Sequence, residues 1–286
     1  MAVCDVCFRH CTIPEGRKGF CGVRSCKNGI IVPDNYGKIT SLALDPIEKK
    51  PLARFHPGKY VLSVGSYGCS LRCRFCQNYS ISWSREAMQY EAAAHILTPE
   101  ELADIAEDHR SKGNIGIAFT YNEPLVGYEF VRDTAKEVKK RGMECVLVTS
   151  GNAELNILEE IAPYIDAMNI DLKGFTDRFY MELTSGDLET VKRFIARAVQ
   201  LCHVEITTLI IPDENDTDEE MRQISEWIAG LTDEQGKHIG QDIPLHISRF
   251  FPRFYMQDRK PTDVKKIYHL ADIAREKLRY VYTGNC

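Results

Sequence analysis

The chain has 286 residues, 44% of them hydrophobic, enough to bury a full core and within the range of a single α/β barrel domain. Its 41 acidic and 36 basic side chains give a net charge of -5, which provides no electrostatic footprint for nucleic acid, and no apolar run reaches the roughly 20 residues that span a bilayer. The start, Met1-Ala2-Val3-Cys4-Asp5, lacks the basic and apolar regions of a signal peptide. The expectation is a cytoplasmic protein with no nucleic-acid or membrane partner, whose eleven cysteines serve metal rather than disulfides.

In chain order the first feature is a cysteine group, Cys4, Cys7, Cys11 and Cys21, with Cys26 just beyond and His10 as an alternative ligand. Four thiols this close are enough to close a metal site. A segment so poor in apolar side chains also needs such a staple to fold. Zinc would make it a structural knob; a second iron–sulfur cluster would make it an electron relay. The sequence leaves both open. This cysteine-rich segment and its lead-in are expected over residues 1–55, and the barrel over 56–286.

Beyond it, apolar β-branched runs alternate with longer amphipathic ones, the pattern of a parallel sheet wrapped by helices. Strands are predicted at Tyr60–Ser66, Ile115–Thr120, Cys145–Thr149, Ala167–Asp171, Val204–Ile211 and Leu245–Phe250, with Tyr280–Tyr282 as a last one. Helices are predicted near Pro99–Lys112, Val126–Arg141, Glu154–Ala162, Leu188–Cys202, Asp218–Leu231 and Thr262–Leu278. In the last of these Thr262 is the expected N-cap, and Val264, Ile267, Leu270 and Ile273 share one face. Six such units make a partial (β/α)6 barrel, in which functional residues gather at the C-terminal ends of the strands.

Just past the first strand comes Gly68-Cys69-Ser70-Leu71-Arg72-Cys73-Arg74-Phe75-Cys76-Gln77-Asn78. Three thiolates this close can hold one iron–sulfur cluster and leave one iron without a protein ligand, open to bind and cleave something. Structural zinc would require four closing ligands, and no His lies nearby. A disulfide framework conflicts with an odd number of thiols.

This spacing closely resembles that of radical S-adenosylmethionine enzymes. The resemblance implies a [4Fe-4S] cluster on Cys69, Cys73 and Cys76 whose open iron chelates S-adenosyl-L-methionine. Reduction cleaves the sulfonium to methionine and a 5′-deoxyadenosyl radical that abstracts hydrogen. It also implies an electron donor such as flavodoxin or ferredoxin, and an oxygen-sensitive, anaerobic enzyme.

Carried over residue by residue, the resemblance assigns Phe75 to the adenine, against the plain reading of a loop-core contact. Glycyl-radical-enzyme activases carry Gly-Gly-Glu-Pro where this chain has Tyr121-Asn122-Glu123-Pro124. Glu123 keeps the charge-assisted bond to the cofactor's amino group, while Asn122 stands where a glycine backbone makes contact. Ser150 is implied at the ribose or methionine carboxylate. Asp171 and Lys173 are implied in the cofactor cavity, against a purely structural ion pair, and His246 at the cofactor, against a structural histidine. Val148 stands where activases place a cation-binding carboxylate, so no monovalent cation is expected. No side chain is singled out as a general base.

The N-terminal cysteines, the stretch Asn35-Tyr36-Gly37-Lys38 through Lys49-Lys50-Pro51-Leu52, and Phe75-Cys76-Gln77-Asn78-Tyr79 narrow the likeness. Together they look like the radical S-adenosylmethionine enzyme of the AmmeMemoRadiSam system, related to pyruvate formate-lyase activating enzymes. Many members carry a further cysteine-bearing tail, whereas this sequence reads to Cys286. Three functions follow: an activase drawing hydrogen from a partner's glycine, a radical enzyme acting on a small molecule or accessory protein with its AmmeMemoRadiSam partners, and a metal-binding scaffold without turnover.

Overall fold

The computed structural model describes residues 1–89 and 94–286. One sheet holds β1 (Ser41–Pro46), β2 (Tyr60–Gly65), β3 (Asn114–Phe119), β4 (Glu144–Thr149), β5 (Ala167–Asp171), β6 (His203–Ile210), β7 (Leu245–Arg249) and β8 (Val281–Gly284), side by side in that order. From β2 to β8 each strand pairs parallel with the next. Parallel neighbours need long crossovers, and here each is helical. The helices are α1 (Pro99–Asp108), α2 (Tyr128–Lys140), α3 (Leu155–Ile161), α4 (Leu188–Ala198), α5 (Asp218–Ala229) and α6 (Val264–Arg275). This is the expected α/β architecture, with a mostly parallel sheet and a cysteine-rich segment ahead of it.

Each helix lays an apolar stripe on one shared core, through Leu102, Val131, Ile157, Val191, Ile224 and Ile267 in turn. Burying such a side chain contributes about 1.5–3 kcal/mol. Among the described residues no helix is long and apolar enough to cross a membrane.

Two local expectations are corrected. The sheet gains the antiparallel edge strand β1, within the expected lead-in, because Ser41–Pro46 pairs along its length with β2. The N-cap of α6 is Asp263, whose carboxylate accepts from Lys265 N–H at 2.8 Å. Thr262 does not cap the helix, because its hydroxyl donates to the Ile210 carbonyl at 2.6 Å.

The sheet must curve. Strands lie about 4.8 Å apart, so seven in a plane would span about 29 Å. Yet residues from the loop after β2 round to the segment after β8 line one cavity of about 300 Å³. The opposite end is stopped by the segment from Pro51 to Arg54. Asn169 donates to the Pro51 carbonyl at 2.8 Å, and the fully buried Glu205 accepts from the N–H groups of Ala53 and Arg54 at 2.9 and 2.8 Å.

Two imidazoles complete the Glu205 shell, His203 at 3.0 Å and His246 at 2.6 Å. Burial alone would raise the pKa of this carboxyl, but the hydrogen bonds from His203, His246, Ala53 and Arg54 prevail and hold it at about 2. Its folded value thus lies below the ordinary 4.5, so the stability it contributes is present above about pH 4.5 and is lost as pH falls toward 2. Glu205→Gln, which turns an NH₂ group toward one backbone N–H and one imidazole, should lower unfolding free energy by about 2–4 kcal/mol at neutral pH. Urea titrations at a series of pH values should also show the acid-side decline flattened in the variant.

Candidate functional site

The cluster loop leaves β2 at Gly65 and meets its first thiol at Cys69. Gly68 takes φ +92°, and a Cβ there would lie 2.5 Å from a Val23 methyl and 3.1 Å from the Cys21 carbonyl oxygen. Only glycine lets the loop bed so closely on the N-terminal segment. Further backbone bonds fix its path: Cys69 N–H to Cys21 O at 3.3 Å, Arg72 N–H to Thr184 O at 2.7 Å and Arg74 N–H to Leu183 O at 3.0 Å. The last two acceptors lie on the π-helical turn Tyr180–Thr184, beyond β5.

Cys69, Cys73 and Cys76 all line the 300 Å³ cavity. Burial pushes the three thiols up, Cys73 to about 12, so loading a metal there must release protons. Among the described residues no three His, Cys, Asp or Glu side chains converge on a single metal ion. Three thiols lining a cavity of about 300 Å³ are one ligand short of closing a structural zinc site and suit an iron–sulfur group that leaves one iron open.

Around the thiols the cavity collects Phe75, Asn122, Glu123, Ser150, Asp171 and Lys173. Glu123 is 4% exposed and its carboxylate is fully engaged. It accepts from the Thr149 and Ser150 hydroxyls at 2.7 and 2.6 Å, and from the Ser150 and Leu125 N–H groups at 2.8 and 3.2 Å. Phe75 is buried against Phe179, with ring centroids 6.1 Å apart. Lys173 Nζ donates to Asp171 at 2.7 Å. Burial works against the lysine's charge, but Asp171 and Cys73 outweigh it and hold its pKa above the ordinary value.

Asn122 lines the cavity and also ties its rim together. It accepts from Ser66 N–H at 3.1 Å and donates to Gly68 O at 3.1 Å. Beside it Tyr121 takes φ +76°, the left-handed region that a glycine would occupy without strain. Gly65 makes room for its ring, since a Cβ there would lie 2.8 Å from Tyr121 Cδ2.

His246 is not among the lining residues. It points inward from β7 but one layer deeper, hydrogen-bonded to Glu205 and stacked on Tyr282 with centroids 5.1 Å apart. Two residues on, Ser248 reaches the cavity. Thr207, Leu209, Gln77, Asn78 and Asn285 also line it and were not singled out from the sequence. The signal for Thr207, Leu209 and Ser248 was strand alternation, which puts every second residue at a strand's C-terminal end on the inner face.

The cysteines Cys4, Cys7, Cys11 and Cys21 border a second, smaller cavity. Their segment docks beside the site: Cys7 bridges to Ala153, Glu154 N–H donates to Val6 O at 3.0 Å, and His10 faces Glu154 at 3.3 Å.

Three thiols on the loop after the first parallel strand, at the mouth of a partial barrel, define an iron–sulfur enzyme with its site at the strand ends. The model of the Radical SAM superfamily matches residues 63–228, and the chain belongs to that superfamily. Membership implies a [4Fe-4S] cluster and cleavage of S-adenosylmethionine there. The chain is 39% identical over 284 residues, 99% of its length and 80% of the relative's, to an uncharacterized protein of Methanocaldococcus jannaschii. It is 28% identical over 169 residues, 57% of its length and 67% of the relative's, to the pyruvate formate-lyase-activating enzyme of Clostridium pasteurianum. In structure it is similar to Streptococcus suis SuiB bound to S-adenosylmethionine, with TM-score 0.59 and 12% identity over 79% of this chain and 52% of that one.

The fit of Gly68 against Val23 can be tested directly. Gly68→Ala should lower the thermal midpoint by several degrees and reduce the iron taken up at the barrel. Combining it with Val23→Ala should cost less than the sum of the two single changes, because the clashing methyl groups are gone.

Proposed function

We propose that this chain is an activating-enzyme-like radical S-adenosylmethionine enzyme, drawing a hydrogen from a glycine backbone of a partner enzyme. Cys69, Cys73 and Cys76 hold the cluster, which with bound S-adenosyl-L-methionine supplies the 5′-deoxyadenosyl radical on reduction. The chain's own residues bind, enclose and aim. Glu123 accepts the cofactor's ammonium group, and Ser150 meets the ribose or the methionine carboxylate. Phe75 packs on the adenine, while Asn122 holds the rim beside Glu123. Lys173, neutralised by Asp171, lines the wall next to Cys73. The electron donor is a carrier such as flavodoxin or ferredoxin. The partners are the other AmmeMemoRadiSam proteins, a reading that rests on the N-terminal cysteines and the lead-in sequence. Cys4, Cys7, Cys11 and Cys21 are read as a second metal site.

The observation that carries the activating reading is the size of the cavity. At about 300 Å³ it sits at the lower end of ligand pockets. Cofactor and cluster use that room, so the reacting C–H bond is best presented from outside the rim, as a protein segment is. The competing reading is an action on a small molecule or accessory protein. In its favour is the position of the extra cysteines, ahead of the barrel rather than after the cluster loop.

The test is anaerobic reconstitution with iron and sulfide, reduction with dithionite, and assay of 5′-deoxyadenosine beside a Cys69→Ala, Cys73→Ala, Cys76→Ala variant. The native chain should form product and the variant none; a fully loaded native chain without product would leave only the scaffold. Adding extract from cells grown on glycine deuterated at Cα, split into protein and small-molecule fractions, decides the substrate. Deuterium should enter 5′-deoxyadenosine from the protein fraction, and its arrival from the small-molecule fraction instead would overturn the activating role.

Glu123→Gln should weaken S-adenosylmethionine binding to the cluster-loaded protein by about tenfold or more, because the charge-assisted bond is lost. Calorimetric titration checks this, and unchanged affinity would remove Glu123 from the cofactor site.

A further inference from the structure

We propose that Arg9 and Arg72 raise the reduction potential of the barrel cluster, acting through the peptide units of the cluster loop. The proposal rests on the cluster that superfamily membership implies at Cys69, Cys73 and Cys76, and it gives that cluster a pair of positioning residues.

One peptide unit links an arginine to a thiol. The unit between Ser70 and Leu71 donates its N–H to Cys69 Sγ at 3.4 Å, and its carbonyl accepts from Arg9 Nε at 3.0 Å. The carbonyls on either side have the same kind of partner, since Arg72 Nη1 donates to Cys69 O at 2.9 Å and to Leu71 O at 2.8 Å. The carbonyls of residues 69, 70 and 71 are thus all held by two cations, and the Leu71 N–H is left for the sulfur. A cation on a peptide oxygen polarises the unit and strengthens the N–H bond at its other end. Net charge and hydrogen bonds to the sulfurs are two of the terms that set a cluster's potential, and added positive charge favours the more negative, reduced state.

Both guanidinium groups are fixed. They sandwich the Phe20 ring, Arg9 at 3.5 Å and Arg72 at 4.0 Å from its centroid, and Arg72 lies 5.5 Å from the centroid of Trp83. Arg72 also donates to the Phe20 carbonyl and Arg9 to the Ser185 carbonyl. All these acceptors are neutral, and among the described residues neither guanidinium is ion-paired with a carboxylate. Lys173, another cation near the thiols, differs in being neutralised by Asp171. Two like charges on one ring repel each other, and an anionic group on the loop they grip offsets that repulsion. Arginine keeps its charge, so the bias is permanent.

The electron count is simple. A one-electron carrier gives up one electron and the cluster gains one, so with the two cations in place a milder reductant can load the site. Arg9 is the part supplied by the N-terminal segment, which in this way acts on the site it docks against.

The test is a potentiometric titration of the full chain, reconstituted anaerobically and followed by electron paramagnetic resonance. The signal to follow is the one missing from the Cys69→Ala, Cys73→Ala, Cys76→Ala variant; a native chain without it would remove the barrel cluster itself. Arg72→Gln and Arg9→Gln should keep the native iron and sulfide content, and each should weaken the cluster's affinity for its electron by about tenfold, which is about 59 mV downward for one electron. Arg72→Lys, which keeps the charge, should recover more than half of that shift. Arg9 lies outside the cluster loop, so its variant reads the potential even if Arg72→Gln takes up less iron. Unchanged midpoints in the iron-loaded variants would overturn the proposal. Failure of both glutamine variants to take up iron would do the same, by making the two arginines supports of the loop only.

Discussion

Parallel pairing is the constraint on which this molecule depends. Because β2 to β8 run the same way, all their C-terminal ends open on one rim, and the curvature of the sheet brings that rim around a single cavity. The candidates that line the cavity lie at or just past strand ends: Cys69 after β2, Glu123 after β3, Ser150 after β4, and Asp171 at the end of β5. The other ends of the strands are left free for stability, and the Pro51–Arg54 segment fills them.

Two buried glutamates mark the two depths. Glu205 and Glu123 are both almost wholly removed from water, and each carboxylate has four donors. The donors differ in kind. Glu205 is held by two backbone N–H groups and two imidazoles, all fixed by the framework, and it does not touch the cavity. Glu123 faces the cavity, and two of its donors are hydroxyls, which can rotate and accept as well as donate. The same residue type serves the fold at one depth and the site at the other.

The sequence made the strands legible because central parallel strands are buried on both faces and read as continuous apolar, β-branched runs. Their ends shifted by a residue or so. Strand β1 was not legible: as an edge strand it alternates Ser41, Ala43 and Asp45 with Leu42 and Leu44, and Leu42 remains exposed. Depth was equally hidden. Alternation gives His246 and Ser248 the same inward face, and only the three-dimensional register puts one beside Glu205 and the other at the cavity. The thiol motif was legible because its spacing is local. The sandwich of Arg9, Phe20 and Arg72 was not, since it joins residues 63 positions apart by contacts that leave no periodic trace.

The turn of Tyr121 and Asn122 ahead of Glu123 joins a glycine-like backbone to two anchoring side chains. Tyr121 holds a left-handed backbone that strains a residue with a side chain by about 1–3 kcal/mol. The strain is offset by what the side chain reaches. Its hydroxyl donates to Asp45 at 2.9 Å, and the Lys50 ammonium lies 4.8 Å from its ring centroid. Asp45 is in turn bound by Lys50 at 3.0 Å and by the Ser63 hydroxyl at 2.9 Å, so the ring is anchored to β1 and β2. Asn122 then uses its amide to join Ser66 and Gly68, the two residues that lead into the cluster loop. Where glycines would leave the turn before Glu123 flexible, these two side chains lock it to the strand that carries the thiols. The segment that carries Glu123 and the loop that carries the three thiols are thereby tied together by side-chain hydrogen bonds.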